Sequence, residues 1–155
     1  DAIHAARHPH VFLSLTKSGT SAIFSTSGND DCHVILRGGN DEPNYDAVSV
    51  ARASAELEAA GLSGNLMVDC SHANSRKAFK RQIEVGEDLA AQISAGNRAI
   101  TGVMIESHLN EGRQDIVVGE TPAFGISVTD ACLGWDDSEA LLYTLAEAVR
   151  KRREG

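Results

Sequence analysis

Four short strings in this chain end in residues able to hold a metal ion or an anion. HVILRGG runs out at Arg37, LMVDCSH at His72 and GVMIESH at Glu106, while Asp130 stands in SVTDAC ahead of the last helical segment. The first three are polar side chains placed where an apolar strand ends, Asp130 lies after a long loop, and in parallel α/β architectures functional groups gather at the C-terminal ends of strands. One imidazole, two carboxylates and a guanidinium are the donors that a joint metal and anion pocket needs, and imidazole with carboxylates suits Mn²⁺, Fe²⁺, Co²⁺ or Zn²⁺. Taken singly, such a residue is more often a hydrogen-bonded rim residue than a ligand, and their spacing has none of the specificity of HExxH or a P-loop. GxGxxG and GxSxG are both absent. His4, His8, His10 and His33 read most simply as surface or rim histidines. His108 falls on the same side of its strand as Glu106 and stays open between the two roles.

These residues need elements to position them. DAIHAARHP reads as the last turns of a helix stopped by Pro9. HVFLSLTK has strand length, and SAIFSTSG, followed by a turn-rich SGNDD, fits the arm of a hairpin. CHVILRGG is a β-branched run closed by two glycines. DAVSVARASAELEAAG follows with Ala47, Val50, Ala51 and Leu57 at helical spacing, Ser54 on the same stripe and Gly61 as the stop. After the strand NLMVDCSH, SRKAFKRQIEVGEDLAAQISAG predicts a helix capped by Ser75, with Phe79, Ile83, Leu89, Ala90 and Ile93 inward. AITGVMIESHL is a further strand, and a loop of about twenty residues follows, longer than α/β units usually carry. The final helix opens at DDSEALLYTL, where Asp136 and Glu139 fit a capping box and Leu141, Leu142, Leu145, Ala148 and Val149 form the apolar stripe. Its RKRRE end sets cations against the negative end of the helix dipole.

The strands are continuous apolar runs, so the expectation is a parallel sheet buried on both faces, with strands near 11–16, 33–37, 66–71 and 101–106. Strand–helix repeats of roughly thirty residues fit a doubly wound sheet or part of a (β/α)₈ barrel, which takes about 250 residues to close. A chain of 155 residues with 42% apolar and 23% charged residues can build one core. Its formal charge of −8 disfavours a general nucleic-acid binder. No apolar run reaches the ~18 residues of a membrane span, and no signal peptide is evident, so a cytoplasmic protein with no membrane or nucleic-acid partner is expected. Cys32, Cys70 and Cys132 are too few and scattered for a disulfide framework or a paired zinc site.

ILRGG, EPNY, DCSHANS, GVMIESHLNEG and TDACLGW resemble the microbial type I DAHP (3-deoxy-D-arabino-heptulosonate 7-phosphate) synthases, which open the shikimate pathway to the aromatic amino acids. The resemblance runs from SLTK through the last helix. It implies a (β/α)₈ TIM barrel with N-terminal additions, of which residues 1–155 would be the C-terminal half, about strands five to eight, truncated at the N-terminus. It implies one divalent metal ion held by His72, Glu106 and Asp130, and an Arg37 that grips the phosphate of phosphoenolpyruvate. Phe12, Ser14 and Phe24 fall where family members build an allosteric pocket for an aromatic amino acid, although an aromatic beside a hydroxyl is core packing in most strands. The reaction implied is condensation of phosphoenolpyruvate with erythrose 4-phosphate and water, giving DAHP and phosphate.

Parts of the family pattern are absent. The ligand cysteine of GPCS, the KPRT loop for erythrose 4-phosphate, and the lysine and arginine completing the phosphoenolpyruvate site have no counterpart in this sequence. DCSH stands where DFSH is more familiar, so Cys70 is either a surrogate thiolate ligand or a packed small hydrophobe. The isolated chain is therefore expected to be inactive, and poorly stable or associated, pairing with a missing N-terminal half or forming a homo-oligomer. The alternatives are a catalytically incomplete half-barrel acting as a regulatory or interaction module, and a different metal-dependent aldolase or hydrolase.

Overall fold

The structure is a computed structural model that describes residues 1–39 and 42–155, and it divides into two compact units, Asp1–His33 and Val34–Gly155. In the first unit a short helix α1 (Ala2–Arg7) precedes two strands, β1 (His10–Leu15) and β2 (Ser21–Thr26). They pair antiparallel with His10 opposite Thr26 and Leu15 opposite Ser21. This corrects the expectation of a parallel strand near 11–16. Thr16–Thr20 is a tight connection, with Thr16 N–H donating to Thr20 O at 2.9 Å and Gly19 at φ 80°, and so short a return permits only antiparallel pairing. Behind β2 the chain returns to α1: Asn29 N–H donates to Ala6 O at 2.9 Å, and Gly28 lies where any Cβ would sit 2.2 Å from Arg7 O.

The second unit contains a three-stranded parallel sheet ordered β3 (Val34–Leu36), β4 (Leu66–Asp69), β5 (Ile100–Met104). Val34 pairs with Leu66, and Val68 with Val103. Around the sheet run α2 (Ala47–Ala59), α3 (Gln82–Ser94) and α4 (Trp135–Glu154). Leu66, Val68 and Cys70 from β4 and the residues just after it pack with Val85, Leu89, Leu133, Leu141 and Leu145 in one buried core. Each such leucine or valine removed from water contributes about 1.5–3 kcal/mol. The parallel strands expected near 33–37, 66–71 and 101–106 are β3, β4 and β5. Beyond β5, Ser107 forms a single parallel bridge with Leu133, and Arg113 another with Ser127. The long loop is tied by these bridges rather than by a ladder.

Helix boundaries depart from expectation at two places. Ser75 does not cap α3: it is fully buried, its N–H donates to Ser71 O and its hydroxyl to His72 O, and Arg76 and Lys77 have φ of 51° and 60°. That backbone cannot be helical, so α3 begins only at Gln82, after a 3-10 turn at Phe79–Arg81. In α4 the cap position is Gly134 rather than Asp136, and Ser138 Oγ donates to Gly134 O at 2.8 Å. Asp136 and Asp137 then lie in the first turn, where negative charge suits the dipole. Leu142, expected inward on α4, is 53% exposed, and on α2 Val50 is buried while Ala47 and Ala51 are exposed. Lys151–Arg153 occupy the last turn of α4, and Arg152 donates to Asn97 O at 2.9 Å, tying that helix end to the approach of β5.

Candidate metal and anion site

Past the end of β4 the chain makes a compact turn held by hydrogen bonds within itself and to neighbouring segments. Asp69, only 2% exposed, accepts from Ser71 N–H with Oδ1 at 2.7 Å. Its other oxygen, Oδ2, lies 2.6 Å from His72 Nδ1. Because a carboxylate only accepts, Nδ1 is the donor, and the ring's second nitrogen, Nε2, keeps its lone pair. His72 itself has φ 53°, uncommon for a non-glycine residue, and its carbonyl accepts from Lys77 N–H at 2.9 Å. Strain of this kind persists only where the surroundings fix it.

Glu106 follows β5 and is held in three places. Gln82, with no exposed surface, accepts from Glu106 N–H at 2.8 Å and donates to Glu106 O at 3.0 Å. Ser71 Oγ donates to Glu106 Oε2 at 2.8 Å. The free oxygen, Oε1, then lies 3.6 Å from His72 Nε2. Asp130 completes the group: one donor atom each from His72, Glu106 and Asp130 lie within 4.8 Å of one another. Donors bound to one ion at about 2.0–2.3 Å sit roughly 3–4.5 Å apart, so this set fits a divalent cation after a small inward movement.

The neighbouring loops close round this cluster. Gly38, at φ 80°, lies where a Cβ would stand 2.5 Å from Ala73 Cβ, so RGG can pass against the SHA turn only with glycine there. Buried Asn74 stitches three segments, donating to Leu36 O at 3.1 Å and Asp69 O at 2.7 Å and accepting from Asn44 N–H at 2.8 Å. The result is a cavity of about 580 Å³ lined by the three potential ligands together with Arg37, Lys77 and Arg113. Carboxylates and imidazole thus occupy the same cavity as three cations, the composition that anionic oxygen ligands and a metal ion would both meet.

Sequence reasoning named Arg37, His72, Glu106 and Asp130, and all four line this cavity. His108 is exposed and turned to the backbone, its Nδ1 accepting from Leu109 N–H at 2.9 Å. Cys70 is fully buried in the core; loss of hydration, and then the adjacent Asp69 charge, pushes its thiol up to about 12, so it is a packed hydrophobe and outside the cluster. Asp69, Ser71 and Gln82 were overlooked, as were Lys77 and Arg113. Asp69 was within reach, since it is the one charged residue inside LMVDC and stands three places before His72. In the first unit Phe12 and Phe24 are directly opposed and stacked, with ring centroids 5.8 Å apart and planes 12° from parallel. Ser14 lies two residues along β1 from Phe12 and so faces the same way.

The fold and the cluster define a mixed α/β protein with a His/Glu/Asp group and three cations lining one cavity. The chain belongs to the DAHP synthetase I family, whose model matches residues 1–143. It is 58% identical over 153 residues to the Phe-sensitive phospho-2-dehydro-3-deoxyheptonate aldolase of Escherichia coli K12, covering 99% of this chain and 43% of that protein. It is 55% identical over 154 residues to the phospho-2-dehydro-3-deoxyheptonate aldolase of Haemophilus influenzae, covering 99% of this chain and 42% of that one. A solved phospho-2-dehydro-3-deoxyheptonate aldolase from Francisella tularensis superposes with a TM-score of 0.88 at 45% identity, covering 97% of this chain and 44% of its own. The chain therefore spans less than half the length of these relatives. No helix among the described residues is long and apolar enough to cross a membrane.

Proposed function

We propose that this chain is the C-terminal half, about strands five to eight, of a TIM-barrel DAHP synthase that condenses phosphoenolpyruvate with erythrose 4-phosphate. The observation that carries the reading is the convergence of His72, Glu106 and Asp130 within 4.8 Å in a cavity that also holds Arg37, Lys77 and Arg113. His72 through Nε2, Glu106 through Oε1 and Asp130 through a carboxylate oxygen would hold one divalent ion of the Mn²⁺, Fe²⁺, Co²⁺ or Zn²⁺ type. When bound, that ion supplies Lewis-acid polarisation of the aldehyde oxygen. Ser71, by occupying Glu106 Oε2, leaves a single oxygen of that carboxylate for the ion.

The remaining work falls to cations. Arg37 presents a planar fork to the phosphate of phosphoenolpyruvate, a geometry that lysine cannot reproduce. Lys77 and Arg113 add charge against substrates that are both phosphorylated. C3 of phosphoenolpyruvate joins the aldehyde carbon, water adds at C2, and the hemiketal expels phosphate. The other half of the barrel would bring the further ligand and substrate cations, and the assembled enzyme would be a homo-oligomer. Phe12, Ser14 and Phe24, sharing one face of the hairpin, would contact an aromatic amino acid effector, a reading favoured by the Phe-sensitive relative.

The test is phosphate release from the two substrates in Mn²⁺, measured on the protein carrying the whole barrel. Turnover abolished by chelation and by His72→Ala or Glu106→Gln is expected. Turnover indifferent to chelator and to both substitutions would overturn the metal reading.

A further inference from the structure

We infer that Asp69 is a positioning residue, which fixes the tautomer of His72 so that Nε2, with its lone pair free, faces Glu106 and Asp130. The inference rests on the metal reading above and adds a residue to it. Asp69 is 2% exposed, lies at the end of β4, and spends its two oxygens on different partners: Ser71 N–H at 2.7 Å and His72 Nδ1 at 2.6 Å. The first contact forms the turn that carries His72 past the strand end. The second demands a proton on Nδ1. A neutral imidazole has one N–H, so Nε2 becomes the acceptor, and Nε2 is the nitrogen that faces Glu106 Oε1 at 3.6 Å.

The arrangement cannot be reproduced by an amide. In Asp69→Asn, an Asn oxygen placed on Ser71 N–H sets its NH₂ against Nδ1, which must then accept, and the proton moves to Nε2. Turned the other way, the amide keeps the Nδ1–H contact but points a donor at the Ser71 N–H. The first orientation keeps both contacts only by reversing the tautomer, and the second loses the Ser71 contact, although the side chain has nearly the same shape. Ligating histidines commonly rely on a carboxylate of this kind, and its loss typically weakens metal affinity 10- to 100-fold.

Two measurements on the full chain decide the matter. In the metal-free protein, above the ordinary histidine pKa, long-range ¹⁵N–¹H spectra of His72 should show a proton on Nδ1. In Asp69→Asn the pattern should reverse or become mixed, at an unfolding temperature near that of wild type. Titration with Co²⁺, followed by its visible absorption, should show affinity lowered about 10- to 100-fold in the variant. A wild-type His72 protonated on Nε2 overturns the inference even if the variant fails to fold. If wild type binds Co²⁺ and Asp69→Asn binds it equally tightly, the inference alone is overturned. Wild type that takes up no Co²⁺ overturns the metal reading itself, and the positioning role with it.

Discussion

Gln82→Met should loosen Glu106 without disturbing the shape of the core. Gln82 has no exposed surface, and methionine fills a similar volume, so the substitution removes two hydrogen bonds and little packing. The two losses are unequal. Glu106 O also accepts from Leu133 N–H at 3.0 Å and keeps that partner, whereas the hydrogen bond from Glu106 N–H to Gln82 Oε1 at 2.8 Å has no substitute. An orphaned donor costs about 1–3 kcal/mol and the second bond about 0.5–1.5 kcal/mol, so the expected loss is roughly 2–4 kcal/mol. For a chain of this size that lowers the unfolding temperature by roughly 5–15 °C, read by circular dichroism. Gln82→Glu gives a control with a sign. A buried carboxylate would repel Glu106 O, but its protonated form can donate there, so its folded pKa should lie above its unfolded value. Its stability is then present at acid pH and lost as pH rises through the raised folded pKa. A Gln82→Met protein melting with wild type, or a Gln82→Glu protein no more stable in acid relative to wild type than at neutrality, would refute the clamp.

Arg37→Lys in the complete enzyme should lower kcat/KM for phosphoenolpyruvate about 30- to 150-fold, corresponding to roughly 2–3 kcal/mol of charge-assisted contact, with little change in melting temperature. Steady-state kinetics showing an unchanged response to phosphoenolpyruvate would remove Arg37 from the site. Cys70, buried and with its thiol pushed up to about 12, should resist alkylation in the native protein while Cys32, part-exposed, is modified; mass mapping of iodoacetamide adducts reads this directly. Asp46 caps α2, accepting from Ser49 N–H at 3.0 Å and Val48 N–H at 3.1 Å, and those hydrogen bonds, Ser49 foremost, hold its carboxyl below the usual carboxylate value. The contribution is present above the unfolded pKa and lost as pH falls through the lower folded one, so Asp46→Asn, which still caps, should flatten the acid limb of stability measured by denaturant unfolding.

What the sequence disclosed and what it hid separate along physical lines. Arg37, His72 and Glu106 were legible as cavity-lining residues because their types announce chemistry and because apolar runs that stop at a polar residue mark strand ends, while Asp130, after a long loop, was singled out by its type and by the family resemblance. The stripe of α4, Leu142 excepted, and the Gly61 stop followed from periodicity and punctuation. The direction of β1 was not legible in HVFLSL itself: a six-residue run with four apolar residues specifies extended chain but not a partner, and the deciding signal was the shortness of the KSGT connection. Ser75 carries a local cap signature identical to a true one. What overrides it is a network reaching across the fold, in which its neighbour Asn74 bonds Leu36 and Asn44, 38 and 30 residues away.

The residues overlooked at the site share one property. Asp69, Asn74 and Gln82 are buried polar side chains whose partners are largely backbone atoms: Ser71 N–H, Leu36 O, and both polar groups of Glu106. Backbone groups have no letter in the sequence, so a contact of this kind leaves no pattern of residue types to read. Yet these contacts keep His72 at φ 53° and place Glu106 Oε1 toward its ring. A strained backbone and a convergent carboxylate cannot persist on the donors' own account, because exposed side chains at strand ends are free to turn outward. The groups that announce the chemistry therefore depend for their geometry on groups that do not, and substitutions at Asp69 and Gln82 test the site more sharply than substitution of the donors themselves.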